Sequence, residues 1–165
     1  NTVINILELI QEQGYKIDLK KIIKNINQES VVMGRWNIIS KKPLTIIDSA
    51  HNLDGFIKMN KEIKKIKHSK IHIIFGCSKD KKVKENLKFF PKTGKYYFCQ
   101  ANVMRSKDYL TFKDIGNDLN INYTLIKSPL QAFKKAQEQA NKDDLIIVTG
   151  SIFLVGEVLE KFCDI

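Results

Sequence analysis

From Pro43 onward the chain alternates short apolar runs with amphipathic stretches. Runs of four or five residues rich in Ile, Tyr or Val fall at 44–47, 71–75, 95–99, 123–126 and 145–148, and each suits a buried strand. Between them, 53–66, 79–89, 107–119 and 129–141 read as helices, with a last helix over about 151–162. Such βαβα alternation predicts a mostly parallel sheet covered on both faces and joined by right-handed crossovers. The fold class is therefore α/β, a Rossmann-like doubly wound domain. Ahead of it, Val3, Ile6, Leu7 and Ile10 recur at helical spacing, with Gly14 placed to end the helix. A second short helix is predicted after Asp18, with Ile22, Ile23 and Ile26 on one face. Asn27-Gln28-Glu29-Ser30 then breaks the pattern, which places a domain boundary there: two short helices over 1–30, and the α/β domain over 31–165.

The strand tips collect small and polar residues: Asp48 and His51, then Gly76, then Asn102 and Arg105, then Ser128, then Gly150 and Ser151. Open α/β sheets bind ligands beyond the carboxyl ends of their strands, so one edge of the sheet is the candidate site. Its densest part is Ile46-Ile47-Asp48-Ser49-Ala50-His51-Asn52, an apolar run ending in a carboxylate and an imidazole. Asp48 or Asn52 could equally be the cap of the next helix. Upstream stands Gly34-Arg35-Trp36. A guanidinium near a strand-tip carboxylate can clamp a triphosphate while the carboxylate accepts ribose hydroxyls. On spacing alone, a simple Arg35–Asp48 ion pair is the commoner outcome. At the last strand, Ser151 can offer its hydroxyl and backbone N–H groups to an anion. Neither His68 nor His72 has metal-ligand spacing to a partner, and Phe153, Leu154 and Val155 read as core.

Composition narrows the function classes. A chain of 165 residues with 43% hydrophobic content can bury a real core. No apolar run is long enough for a membrane span and no secretory signal opens the chain, so a soluble, cytoplasmic protein is expected. A start without Met, already helix-like, suggests a piece of a longer polypeptide. The net charge of +10 is nearly all lysine, spread in pairs such as Lys20-Lys21 and Lys64-Lys65, which reads as solvated surface rather than a nucleic-acid interface. Only Arg35 and Arg105 are arginines. Cys77, Cys99 and Cys163 are too far apart for a zinc site and are expected to be ordinary thiols. Neither a P-loop nor a G-x-G-x-x-G turn occurs, so nucleotide chemistry would need a phosphate cradle from another domain.

Five motifs in order then carry a resemblance. Gly34-Arg35, Ile47-Asp48-Ser49-Ala50-His51-Asn52, Ile74-Phe75-Gly76 with Asp80-Lys81, Arg105, and Val148-Thr149-Gly150-Ser151-Ile152-Phe153-Leu154-Val155-Gly156-Glu157-Val158 resemble the C-terminal domain of folylpolyglutamate synthase/dihydrofolate synthase. That family is a branch of the Mur-type amide ligases. The resemblance implies an ATP-dependent carbon–nitrogen ligase acting in folate biosynthesis: ATP phosphorylates a carboxylate, and the amine of L-glutamate attacks the acyl phosphate. By it, Arg35 meets the nucleotide phosphates, Asp48 meets the ribose, and His51 (the catalytic candidate) and Ser151 border the glutamate site. Residues 1–30 would close a central ATPase domain. That domain would hold the P-loop and the Mg2+ ligands, and the isolated piece would be inactive. Partners are then small molecules (L-glutamate, dihydropteroate or reduced folate) and the ATPase domain of the same polypeptide, with no nucleic acid or membrane, and a monomer is expected. Two departures stand out, Ser49 where the family has Gly and Leu53 where it has Pro. Lys82 also replaces an acidic residue often found after Asp-Lys. The rivals are a peptidoglycan-precursor Mur ligase domain and a stand-alone basic binding module.

Overall fold

The computed structural model describes residues 2–22 and 32–160. Ile23 and Ile26, the 27–30 interruption and Cys163 lie outside them. The chain divides into two compact units between Val32 and Met33. In the first, α1 (Thr2–Glu12) ends at Gly14, whose φ is +91°. Asp18 then caps a helical turn, its Oδ1 accepting from the Lys21 N–H at 3.0 Å.

The second unit is a six-stranded sheet in the order β1-β2-β6-β3-β4-β5, formed by β1 (Asn37–Lys41), β2 (Leu44–Asp48), β3 (Ile71–Phe75), β4 (Lys95–Phe98), β5 (Asn122–Leu125) and β6 (Leu145–Thr149). Every pairing is parallel except β1 with β2, which is antiparallel. The parallel body is as expected, and β1 is an addition at its edge. Adjacent residues of the inner strands serve opposite faces. Ile46, Ile73, Tyr96 and Ile147 pack with α2 (Leu53–Ile63), α3 (Val83–Leu87) and α4 (Phe112–Asp118). Ile47, Ile74, Tyr97 and Ile146 pack with α5 (Pro129–Gln139) and α6 (Ile152–Leu159). Burial on both faces is why these strands read as unbroken apolar runs.

Several expected helix bounds were too generous. The segment read as helix from 79 holds helix only over Val83–Leu87, because the Lys79 N–H donates across to Arg105 O at 2.9 Å rather than along a helix. The segment read from 107 begins as a 3-10 turn at Tyr109–Thr111, set by the Asp108 carboxylate accepting from the Leu110 N–H. Phe153 is a correction of another kind. Leu154 and Val155 are core, but Phe153 is 39% exposed, with the Arg105 guanidinium 5.8 Å from its ring centre. On α6 the residues turned to the sheet are 154, 155, 158 and 159, a helical spacing that leaves 153 outside.

At the opposite end of the sheet, His72 on β3 is buried beside Asp144. Its Nε2 lies 3.4 Å from Asp144 Oδ2, and its Nδ1 lies 3.0 Å from the Tyr97 hydroxyl. Asp144 also accepts the Lys70 and Asn141 N–H groups. Burial lowers the His72 pKa below 6.5, and nearby Lys95 and Lys70 lower it further, against the opposing pull of Asp144. The unfolded chain, with an ordinary imidazole, therefore binds a proton before the folded one does. Stability should fall as pH drops below about 6.5 toward the folded value, and recover on raising the pH. Asp144, itself held below 3.8 despite its burial, adds acid sensitivity only at lower pH. Urea midpoints measured between pH 7.5 and 5 should show this loss, and His72→Gln should flatten it.

Candidate functional site

The site grows from the tip of β2. Its apolar run ends at Asp48, beside Thr149 of β6. Asp48 neither caps α2 nor pairs with Arg35. Its Oδ1 accepts the Ala50 N–H at 2.8 Å and its Oδ2 accepts the Trp36 N–H at 2.9 Å. The Ser49 N–H donates to Gly34 O at 2.6 Å. The Gly34-Arg35-Trp36 segment is thus latched to the strand tip through its backbone. Gly34 meets that demand with φ +80°, and a Cβ there would sit 3.1 Å from Val155 Cγ1. Trp36 also lies in the left-handed region, at φ +50°, where a bulky side chain is an outlier. Arg35 is exposed, and its backbone N–H donates to Asn37 Oδ1. Among the described residues its guanidinium has no ion pair.

After Asp48 the chain turns into α2. Asn52 is the cap, accepting from the Gly55 N–H at 2.9 Å, and Leu53 is the first helical residue, the place a proline would take. Ser49 is not among the residues with positive φ, so the Gly-to-Ser departure carries no backbone strain. His51 Nδ1 lies 3.0 Å from Ser49 O. A carbonyl only accepts, so Nδ1 carries the proton and a neutral ring keeps its lone pair on Nε2.

Arg35, Asp48 and His51 line one cleft of about 510 Å³, together with Trp36, Lys58 and Glu62. Sequence reasoning had not singled out the last three as site residues. The available signal was spacing: Gly55, Lys58, Met59 and Glu62 fall at i, i+3, i+4 and i+7 along α2 and all line the cleft. Ser151 does not line it. Its Oγ accepts the Phe153 N–H at 3.2 Å, capping α6, and the residue is buried. It stands at the neighbouring tip, where the Gly150 N–H donates to Ala50 O at 3.1 Å. Asn102 and Ser128 line a separate cavity of about 700 Å³ with Lys127 and Glu157. Of the polar strand-tip residues, Asp48 and His51 line the first hollow, Asn102 and Ser128 the second, and Arg105 and Ser151 neither. Cys77 and Cys99 are buried free thiols, and burial pushes Cys77 up to about 12, so neither is a nucleophile at neutral pH. Among the described residues no cluster of three or more His, Cys, Asp or Glu could hold a metal ion, and no helix is long and apolar enough to cross a membrane.

The domain is thus a doubly wound sheet with an antiparallel edge strand and a cleft at the tip of β2. A family model described as Mur ligase, glutamate ligase domain, matches residues 34–152, and the chain belongs to that family. The dihydrofolate synthase/folylpolyglutamate synthase of Buchnera aphidicola subsp. Schizaphis graminum is 30% identical over 164 residues, covering 96% of this chain and 38% of that protein. A UDP-N-acetylmuramoyl-L-alanyl-D-glutamate–2,6-diaminopimelate ligase of Clostridium acetobutylicum is 27% identical over 143 residues, 81% of this chain and 30% of that protein. The structure of E.coli FolC in complex with DHPP and ADP aligns with a TM-score of 0.79 at 23% identity, over 94% of this chain and 37% of that one. The chain thus spans less than two fifths of the length of these relatives.

Proposed function

We propose that this chain is the C-terminal domain of an ATP-dependent folate–glutamate ligase, with residues 1–30 closing a central ATPase domain and 31–165 forming the lid that completes its site. The observation that carries this reading is the convergence of Arg35, Asp48 and His51 on one cleft at the tip of β2. In the reaction, an acceptor carboxylate oxygen attacks the γ-phosphorus of ATP, giving an acyl phosphate and ADP. The amine of L-glutamate then attacks the acyl carbon and phosphate leaves. Arg35, exposed and without an ion pair among the described residues, is the group for phosphate oxygens. Asp48 uses two of its roughly four acceptor positions on backbone amides and keeps the others for ribose hydroxyls. His51, whose Nε2 keeps its lone pair, is the group to take a proton from the incoming ammonium. Ser151, with its hydroxyl committed to capping, would meet the glutamate carboxylate only through the N–H groups at the start of α6. Magnesium, which shields the transferring phosphates, would be held by the ATPase domain. Dihydropteroate or a reduced folate is the acceptor.

Arg35→Ala in the complete ligase should weaken ATP use tenfold or more, as expected for losing a charged hydrogen-bond donor worth about 1.5–3 kcal/mol. Steady-state kinetics with varied ATP check this, and unchanged kinetics would remove the assignment. The second reading, a peptidoglycan-precursor ligase, is favoured by the Clostridium acetobutylicum relative. Assays with dihydropteroate, tetrahydrofolate and UDP-linked muramyl acceptors separate the two.

A further inference from the structure

We infer that Trp36 is the stacking wall for the nucleobase, so that the cleft along α2 binds a purine nucleotide through its base as well as its phosphates. The inference rests on the nucleotide reading above. The backbone at residue 36, with φ +50°, is one that glycine or asparagine adopts readily and tryptophan does not. A strained residue over-determined by its surroundings is characteristic of ligand clamps. Here the surroundings are the Trp36 N–H bond to Asp48 and the Ser49 N–H bond to Gly34 O, which fix the segment on both sides of Arg35. Turn geometry does not ask for this side chain, so its use lies in the ring. Filling the half-buried space against the core would be met by any large apolar residue, whereas a flat π-face is what a purine needs.

The rest of the cleft agrees. If Asp48 takes the ribose and Arg35 the phosphates, the base must lie in the remaining part, along α2. Gly55 to Glu62 spans about 10 Å at the helical rise, which is enough for a nucleoside. The floor there is Met59, buried and polarizable, a favourable neighbour for an aromatic ring. Lys58 and Glu62 stand at the rim as a donor and an acceptor for the base edge, Glu62 already bound to Lys65 at 2.7 Å.

Trp36 is the only tryptophan, so its fluorescence reports this site alone. Adenosine, ADP and tripolyphosphate are titrated into the chain with calorimetry and emission followed together. Adenosine and ADP should change Trp36 emission in step with the heat, and tripolyphosphate should bind without that change. By calorimetry, Trp36→Leu should weaken ADP about tenfold, or ~1.4 kcal/mol, within the range for losing one stacked base. It should leave tripolyphosphate unaffected, and Trp36→Phe should stay within about threefold of the parent. ADP binding with unchanged emission and unchanged affinity in Trp36→Leu would overturn the stacking role and leave the nucleotide reading standing. Equal weakening of ADP and tripolyphosphate would overturn it too, by showing that the ring only holds Arg35 in place. No binding of any nucleotide to the chain at millimolar concentration would overturn the inference that the cleft along α2 holds the base, while the nucleotide reading beneath it stands or falls with Arg35→Ala in the complete ligase.

Discussion

Gly150→Ala should lower the stability of the domain by about 3 kcal/mol or more, at the upper end of single-substitution effects. Two independent costs add at this position. With φ at +105°, any L side chain is strained. The new Cβ would also stand 2.5 Å from Gly76 O and 3.0 Å from Phe75 Cε2. Neither neighbour can move cheaply, since one is backbone at the tip of β3 and the other is a ring buried in the core. The Gly150 N–H also holds the Ala50 carbonyl, so relief by shifting the backbone would release the turn that carries His51. Urea denaturation followed by circular dichroism measures the loss, and one under about 1 kcal/mol would mean that the strand tips yield more easily than backbone contacts allow. Gly156→Ala is the control. A Cβ there meets nothing within 4 Å on an interior turn of α6, so it should be neutral or stabilise by up to about 1 kcal/mol.

The parts of the fold legible in the sequence are those with one physical cause. The parallel strands β2, β3, β4 and β6 could be read because burial on both faces leaves no polar alternation to confuse the pattern, and β5, half-buried at the sheet edge, because its Tyr-Thr-Leu run is rich in strand-forming residues. β1 escaped because Asn-Ile-Ile-Ser-Lys is a half-solvated edge strand with Ile38 exposed and a single neighbour, and Lys42-Pro43 behind it reads as a break. Helix starts at Asn52, Ser128 and Ser151 follow from cap chemistry, whereas 77–79 and 105–107 bond to each other, Lys79 N–H to Arg105 O and Lys107 N–H to Cys77 O, a pairing no local pattern announces. The candidate site divides the same way. Asp48 and His51 stand out because they follow a strand directly. Trp36 enters only because its N–H crosses twelve residues to Asp48, and Lys58 and Glu62 only because α2 turns that face toward the cleft. Ser151 shows the limit of local chemistry: the residue type that can greet an anion is also the one that caps a helix.

Asp48→Ala should have the largest effect on function, because the carboxylate has two separable tasks. As architecture it accepts the Trp36 and Ala50 N–H groups. Deleting it strands two part-buried donors at about 1–3 kcal/mol each and unlatches the segment that carries Arg35. As a ligand group it offers its remaining lone pairs to the ribose. In the complete ligase the combined loss in kcat/KM should be on the order of 100- to 1000-fold, since ~1.4 kcal/mol is tenfold and both tasks fail at once. Asp48→Asn separates them. Its single amide oxygen can keep one backbone N–H but turns an NH2 toward the other, so stability should fall by about half as much as in Asp48→Ala. If nucleotide affinity falls as far in Asn as in Ala while urea stability does not, the carboxylate binds ribose directly. If affinity and stability decline in proportion, Asp48 serves the site only by holding Arg35 and Trp36 at the strand tip, and its ribose contact would have to be abandoned.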